Sequence, residues 1–168
     1  MTARPVVLAP AVTASGRPIA GVMLTVIGAA LVVAGFFLPW FEGDGVFALR
    51  TFSGFGLARD LHTLTTSMRT VTGGSLSPLL FYIAPAGAVG VASYAVLAGM
   101  SAVTRLLTFV LGLYTLLVAI GALIIATTAV TDADRYMGTP SWGLGVTAIG
   151  AVLMLAGGWW RGEPDAGD

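Results

Sequence analysis

Residues 19–40 read IAGVMLTVIGAALVVAGFFLPW, and this stretch limits the architectures open to the chain more than any other. From 19 to 38 it holds no charge, and Thr25 is its one hydroxyl. A helix rises about 1.5 Å per residue, so a run of this length spans roughly 30 Å, the thickness of a bilayer's hydrocarbon core. Pro39 ends the helix, and Trp40 suits the headgroup boundary. Three further apolar runs follow, so the chain is expected to be an all-α membrane protein with four transmembrane helices in an antiparallel bundle. The expected spans are 19–40, 77–99, 102–130 and 142–160, with a mobile tail at 1–18, an outer loop at 41–76 and a short tail at 161–168.

Composition supports this reading. The chain is 57% hydrophobic and 10% charged, with a mean hydropathy of +0.92. Soluble domains carry roughly a quarter charged residues. Net charge is zero and every basic residue is arginine, so nothing favours nucleic acid as a partner. Cysteine is absent, which excludes disulfides, thiolate catalysis and cysteine-held clusters within this chain.

The first run could be taken for a secretory signal. Its apolar part exceeds the usual length of a signal core, and it closes in FFLPW rather than a small-residue cleavage site, so it reads as an uncleaved anchor. Gly21, Gly28 and Gly35 recur every seven residues and form a candidate helix-packing face, where a second helix can come close. The second run opens with Ser77 as a cap and Pro78 at the first helical position, and Pro85 within it is a candidate kink. Arg105 sits near the start of the third run, within reach of headgroups.

The outer loop carries local structure of its own. Asp44-Gly45 signals a turn, and VFALRTF after it reads as a strand, giving a short β-hairpin over about 40–55. Leu57, Leu61, Leu64 and Met68 then fall on one face of an amphipathic helix. Trp40, Phe41, Phe47, Phe52 and Phe55 crowd this region. They read equally as the core of a small cap and as a docking loop for a larger membrane protein or a lipid. Trp40 and Trp142 are expected at the outer boundary, with Trp159 and Trp160 at the inner one. Residues 131–140 read as a short polar loop.

Intramembrane chemistry needs ionisable groups at depth, and no Asp, Glu, His or Lys falls inside a span. His62 is the only histidine and has no second ligand at a suitable spacing. Asp132 and Asp134 lack the glycine and distal glutamate of a calcium loop. No catalytic residue, cofactor or metal is therefore assigned. Arginines divide evenly between the two sides. Arg17, Arg105 and Arg161 lie right at span ends, which favours both termini in the cytoplasm of a bacterial cell with the protein in the plasma membrane.

Pro39-Trp40 closing the first span, Gly74-Ser75-Leu76-Ser77-Pro78 opening the second, Arg105 at the third and Trp142 opening the fourth resemble small four-helix membrane proteins of actinobacteria, the tryptophan-associated membrane family in particular. The strand-bearing first loop is also similar to the claudin layout, but the cysteines of the claudin signature are missing. Neither resemblance implies an activity. The expected function is a non-catalytic accessory or assembly subunit of a bacterial plasma-membrane complex, respiratory among the options. Its partners would be larger integral membrane subunits and membrane lipids. The alternatives are a homo-oligomeric pore or carrier, and a lipid- or quinone-binding protein that uses the bend at Pro85.

Overall fold

The computed structural model describes residues 19–42, 51–56, 79–128 and 139–160. Four helices account for most of them: α1 (Ile19–Phe37), α2 (Leu79–Ala98), α3 (Ala102–Thr128) and α4 (Trp142–Trp159). Each contains a segment long and apolar enough to cross a membrane. Three short strands complete the described fold: β1 (Pro39–Glu42), β2 (Thr51–Ser53) and β3 (Thr139–Pro140).

Local chemistry sets the ends. Leu38 still donates to the carbonyls of Ala34 and Gly35, and Pro39, which has no N–H to give, turns the chain into β1. Between α2 and α3, Gly99 takes φ +77°, the left-handed conformation that stops a helix. Ser101 then caps α3, its Oγ accepting from the Thr104 N–H at 3.2 Å.

Close packing joins α1 to α4, α4 to α3, α3 to α2 and α2 to α1, so the helices form a closed ring. The central pair is α1 and α4, each with 39% of its apolar window buried, against 17% for α2 and 22% for α3. Small and hydroxyl-bearing residues, Ala29, Ala88, Ala151, Thr25, Thr108, Thr115 and Thr147, hold many of the buried positions, beside Val32 and Met154 and, toward the sheet, Phe36, Trp40, Phe41 and Leu144. Other large apolar side chains point out, among them Leu97, Leu106, Leu117 and Ile149.

At one end lies a sheet of order β2-β1-β3, both pairings antiparallel. The expected hairpin is present as β1 and β2. The third strand falls where the sequence reads as a polar loop. Pro140 is tolerated there because β3 is an edge strand that need not donate on its outer side. Register shifts between Pro39 and Phe41, which pair with Ser53 and Phe52. Trp40 is thus the extra residue of a bulge, and the bulge explains why Trp40 and Phe41, neighbours in a strand, are both buried.

The amphipathic helix expected from Leu57, together with Phe47, His62, Asp132 and Asp134, lies outside the described residues. Gly54–Gly56, just before it, are helical.

Candidate functional site

Most of the described residues singled out from the sequence lie in two places, the seam between α1 and α4 and the sheet end above it; Pro85 and Arg105 lie apart from both.

The seam is made by glycine on both sides. Gly28 faces Gly150 so closely that a Cβ on either would lie 2.7 Å from the other's carbonyl oxygen. The Cα hydrogens therefore point at those carbonyls, the arrangement of paired Cα–H···O contacts. One level up, Gly35 rests on Thr147 and on the Gly143 carbonyl. One level down, Gly157 meets the Thr25 hydroxyl and the Gly21 carbonyl. Gly21 itself has ordinary room, with its nearest neighbours at 3.5 Å. The packing face expected at Gly21, Gly28 and Gly35 is thus occupied by this chain's own α4. What reading the first helix alone misses is the matching row. Gly143, Gly150 and Gly157 repeat at the same seven-residue step, and that repeat is the sequence signal of the pairing.

The hydroxyls along the interior are committed to their own helices. Thr25 donates to Gly21 O, Thr108 to Thr104 O, Thr115 to Leu111 O and Thr147 to Gly143 O, at 2.8 to 2.9 Å. Each threonine thereby buries a hydroxyl with its donor satisfied. Thr25 also lies 3.9 Å from the Met100 sulfur.

At the sheet end, Trp40 folds back over the last turn of α1, and its Nε1–H donates to the Gly35 carbonyl at 2.8 Å. Its ring is 1% exposed and packs edge-on to Phe36. Trp40 thus faces into the protein rather than outward, because the bulge turns its side chain inward. Phe36, Trp40, Phe41, Ala119 and Leu144 form one cluster, with Phe81 and Tyr82 packed against it. Gly54 allows this closure, since a Cβ there would sit 2.8 Å from both Phe36 and Trp40.

Of the expected docking residues, then, Trp40 and Phe41 are core. Phe52 is described by its backbone pairing with Phe41, and Phe55 is 39% exposed. Phe55 stacks near Phe37, Tyr82 and Phe36, with centroids 5.6 to 6.4 Å apart. Among the described residues, the exposed aromatic side chains at this end are Phe37, Phe55 and Trp142. A hydrogen bond from Ser141 Oγ to Glu42 Oε1, 2.7 Å, ties the start of α4 to β1.

Pro85 sits inside α2 between Ala84 and the rest of a buried face that includes Ala88. Lacking an N–H, it leaves the Phe81 carbonyl without its helical donor.

The opposite end carries Arg105, the single charged residue in any of the four helices. Its Nε is sealed from solvent and has no hydrogen-bond partner. The α4 end packs on the α3 backbone here, Gly158 lying against Arg105 and Phe109. The Trp159 ring meets Phe109 at 6.3 Å. Trp159 and Trp160 are exposed.

Among the described residues, no three His, Cys, Asp or Glu side chains gather into a metal-binding group. No family model, curated protein or solved structure matches the chain.

Proposed function

We propose that this chain is a multi-pass membrane protein, an antiparallel four-helix bundle in a bacterial plasma membrane, and that it serves as a non-catalytic accessory subunit of a larger membrane complex. The observation that carries the membrane assignment is the apolar exterior of the bundle. Large apolar residues cover the outside of every helix, while the interior mixes small and hydroxyl residues with larger ones such as Val32, Phe36, Leu144 and Met154. In water such a surface drives aggregation; in lipid it is the ordinary exterior.

The accessory role is supported by how the interior polar groups are used. Thr25, Thr108, Thr115 and Thr147 donate back to their own helices, and Thr104 pairs with the Ser101 hydroxyl. Arg105, the single helical charge, sits at an end rather than at depth. A proton relay or ion path needs ionisable groups at membrane depth. A docking partner is expected on α2 and α3, since the glycine face of α1 is filled from within and these two helices bury the smaller share of their length.

The test is purification of the tagged protein from native membranes in a mild detergent, followed by mass spectrometry and a visible absorption spectrum. Larger subunits co-eluting in fixed ratio are the expected result, and haem bands among them would identify an electron-transfer complex. Elution as a lone oligomer would overturn the accessory reading in favour of a pore or carrier.

A further inference from the structure

Arg105 is the one group in the described helices whose chemistry is left open. Among four helices without any other charge, its presence demands an account. Its Nε is enclosed by protein and donates to nothing. A guanidinium that reaches bulk water along its whole head would leave Nε wet; here Nε is enclosed without a protein acceptor, and because the side chain as a whole is only half-buried, its terminal nitrogens are what an outside acceptor can reach. The nearby hydroxyls are already engaged with each other, Ser101 Oγ and Thr104 Oγ1 lying 2.8 Å apart, and Ser101 also takes the Thr104 N–H. No described acidic side chain stands at this end of the helices, Glu42 being on the sheet at the other.

The surroundings point to a bilayer boundary. Phe109 follows Arg105 by one turn on the same helix face. Trp159 packs on Phe109, and Trp159 and Trp160 are among the exposed aromatics. An arginine flanked by exposed tryptophans at the end of apolar helices sits at headgroup depth, where phosphate is the abundant acceptor. The planar guanidinium matches phosphate oxygens and binds them by charge-assisted hydrogen bonds.

We propose that Arg105 holds the phosphate of an acidic phospholipid where α3 begins beside the end of α4, the lipid's glycerol end lying against Trp159. This assignment rests on the membrane reading above. The lipid would be a phosphodiester anion such as phosphatidylglycerol, with its chains along the apolar outer face of α3, where Leu106, Val110 and Leu113 are exposed.

The full-length protein would be reconstituted in nanodiscs of phosphatidylglycerol and phosphatidylcholine in equal parts. Lipid retained on release into detergent would be counted by native mass spectrometry. The wild type should keep phosphatidylglycerol in preference, and Arg105→Gln should lower that preference about tenfold, the worth of one charge-assisted hydrogen bond. Arg105→Lys, which keeps the charge but not the planar fork, should retain part of it. Equal retention of the two lipids by the wild type overturns the assignment whether or not Arg105→Gln folds. So does unchanged preference in a folded Arg105→Gln. Displacement of the lipid by inorganic phosphate at millimolar concentration would show a site for a water-borne anion and overturn the lipid source. Failure of the wild type to enter nanodiscs at all would instead strike the membrane reading, and this proposal with it.

Discussion

At the scale of single residues the seam gives graded expectations. Gly28→Ala places a methyl group 2.7 to 2.9 Å from Gly150 O, Met154 N and Met154 Cγ, two of them backbone or near-backbone atoms that cannot swing away. It should cost about 1–3 kcal/mol, as overpacking does. Gly21→Ala meets nothing closer than 3.5 Å, and Gly145→Ala meets nothing within 4 Å. Both should stay within about 0.5 kcal/mol of the parent. Thermal unfolding in detergent, followed by circular dichroism, ranks the three; equal losses at all three positions would show that α1 and α4 do not meet as described. Trp40→Phe retains a large ring but deletes the bond to Gly35 O, and should cost about 1 kcal/mol in the same assay. The first glycine row was legible from its spacing alone. The inward turn of Trp40 was not, because it depends on a bulge, and a bulge depends on which residue of the facing strand happens to pair with Phe41.

At the scale of elements, the helix bounds were legible because the signals are local. Pro39, Gly99 and Ser101 act through their own backbone or side chain within a turn. Where a helix end lies among the described residues it falls within about one residue of the expected limit, as at Ala98, Ala102, Trp142 and Trp159, apart from α1, whose last turn yields to β1 at Leu38. The expected start of the second span at Ser77 and Pro78 and the end of the third at 130 lie outside the described residues. Strand β3 was illegible for the opposite reason. Two residues, Thr139 and Pro140, have no periodicity to detect, and they extend only because β1 offers an edge. That pairing is open to a clean chemical test, as the chain has no cysteine. Glu42→Cys with Thr139→Cys, partners in the β1–β3 register, should form an intramolecular disulfide under mild oxidation, seen as a mobility shift on a non-reducing gel. Ile19→Cys with Thr139→Cys, at opposite ends of α1 and β3's neighbour α4, should not.

At the scale of the whole molecule, four helices that all cross a membrane would return the chain to the side where it entered. The membrane reading therefore predicts that both ends share a compartment. Fluorescent-protein fusions at either terminus should glow, while alkaline phosphatase at the same positions stays inactive; opposite outcomes at the two ends would require an odd number of crossings. The protein should also remain with the pellet after alkaline carbonate washing. The shape of the bundle was less legible than its parts. Apolar runs announce helices, but which helix meets which is written in close approaches at small residues, such as Gly112 against the backbone of Ala151 and Leu155, that lie far apart in the sequence. Function was the least legible level, since the chemistry-bearing side chains that would mark an active site are missing from the spans.

The two glycine rows have one further property. Both advance by seven residues, so sliding α4 along α1 by one step, about 10.5 Å, would set glycine on glycine again at two of the three levels. The glycine rows are a ruler with evenly spaced marks, whose spacing alone does not say where zero is; within the seam, Thr25 and Thr147 tell the outer levels from the Gly28–Gly150 level. Zero is supplied at the sheet, whose bulge and unequal strands have no repeat, and where Phe41 and Glu42 pair with Phe52 and Thr51 on one side and with Pro140 and Thr139 on the other. Cut free of that index, the same two helices should populate slipped alignments, and the few residues of β1 and β3 would prove to govern the alignment of the whole bundle.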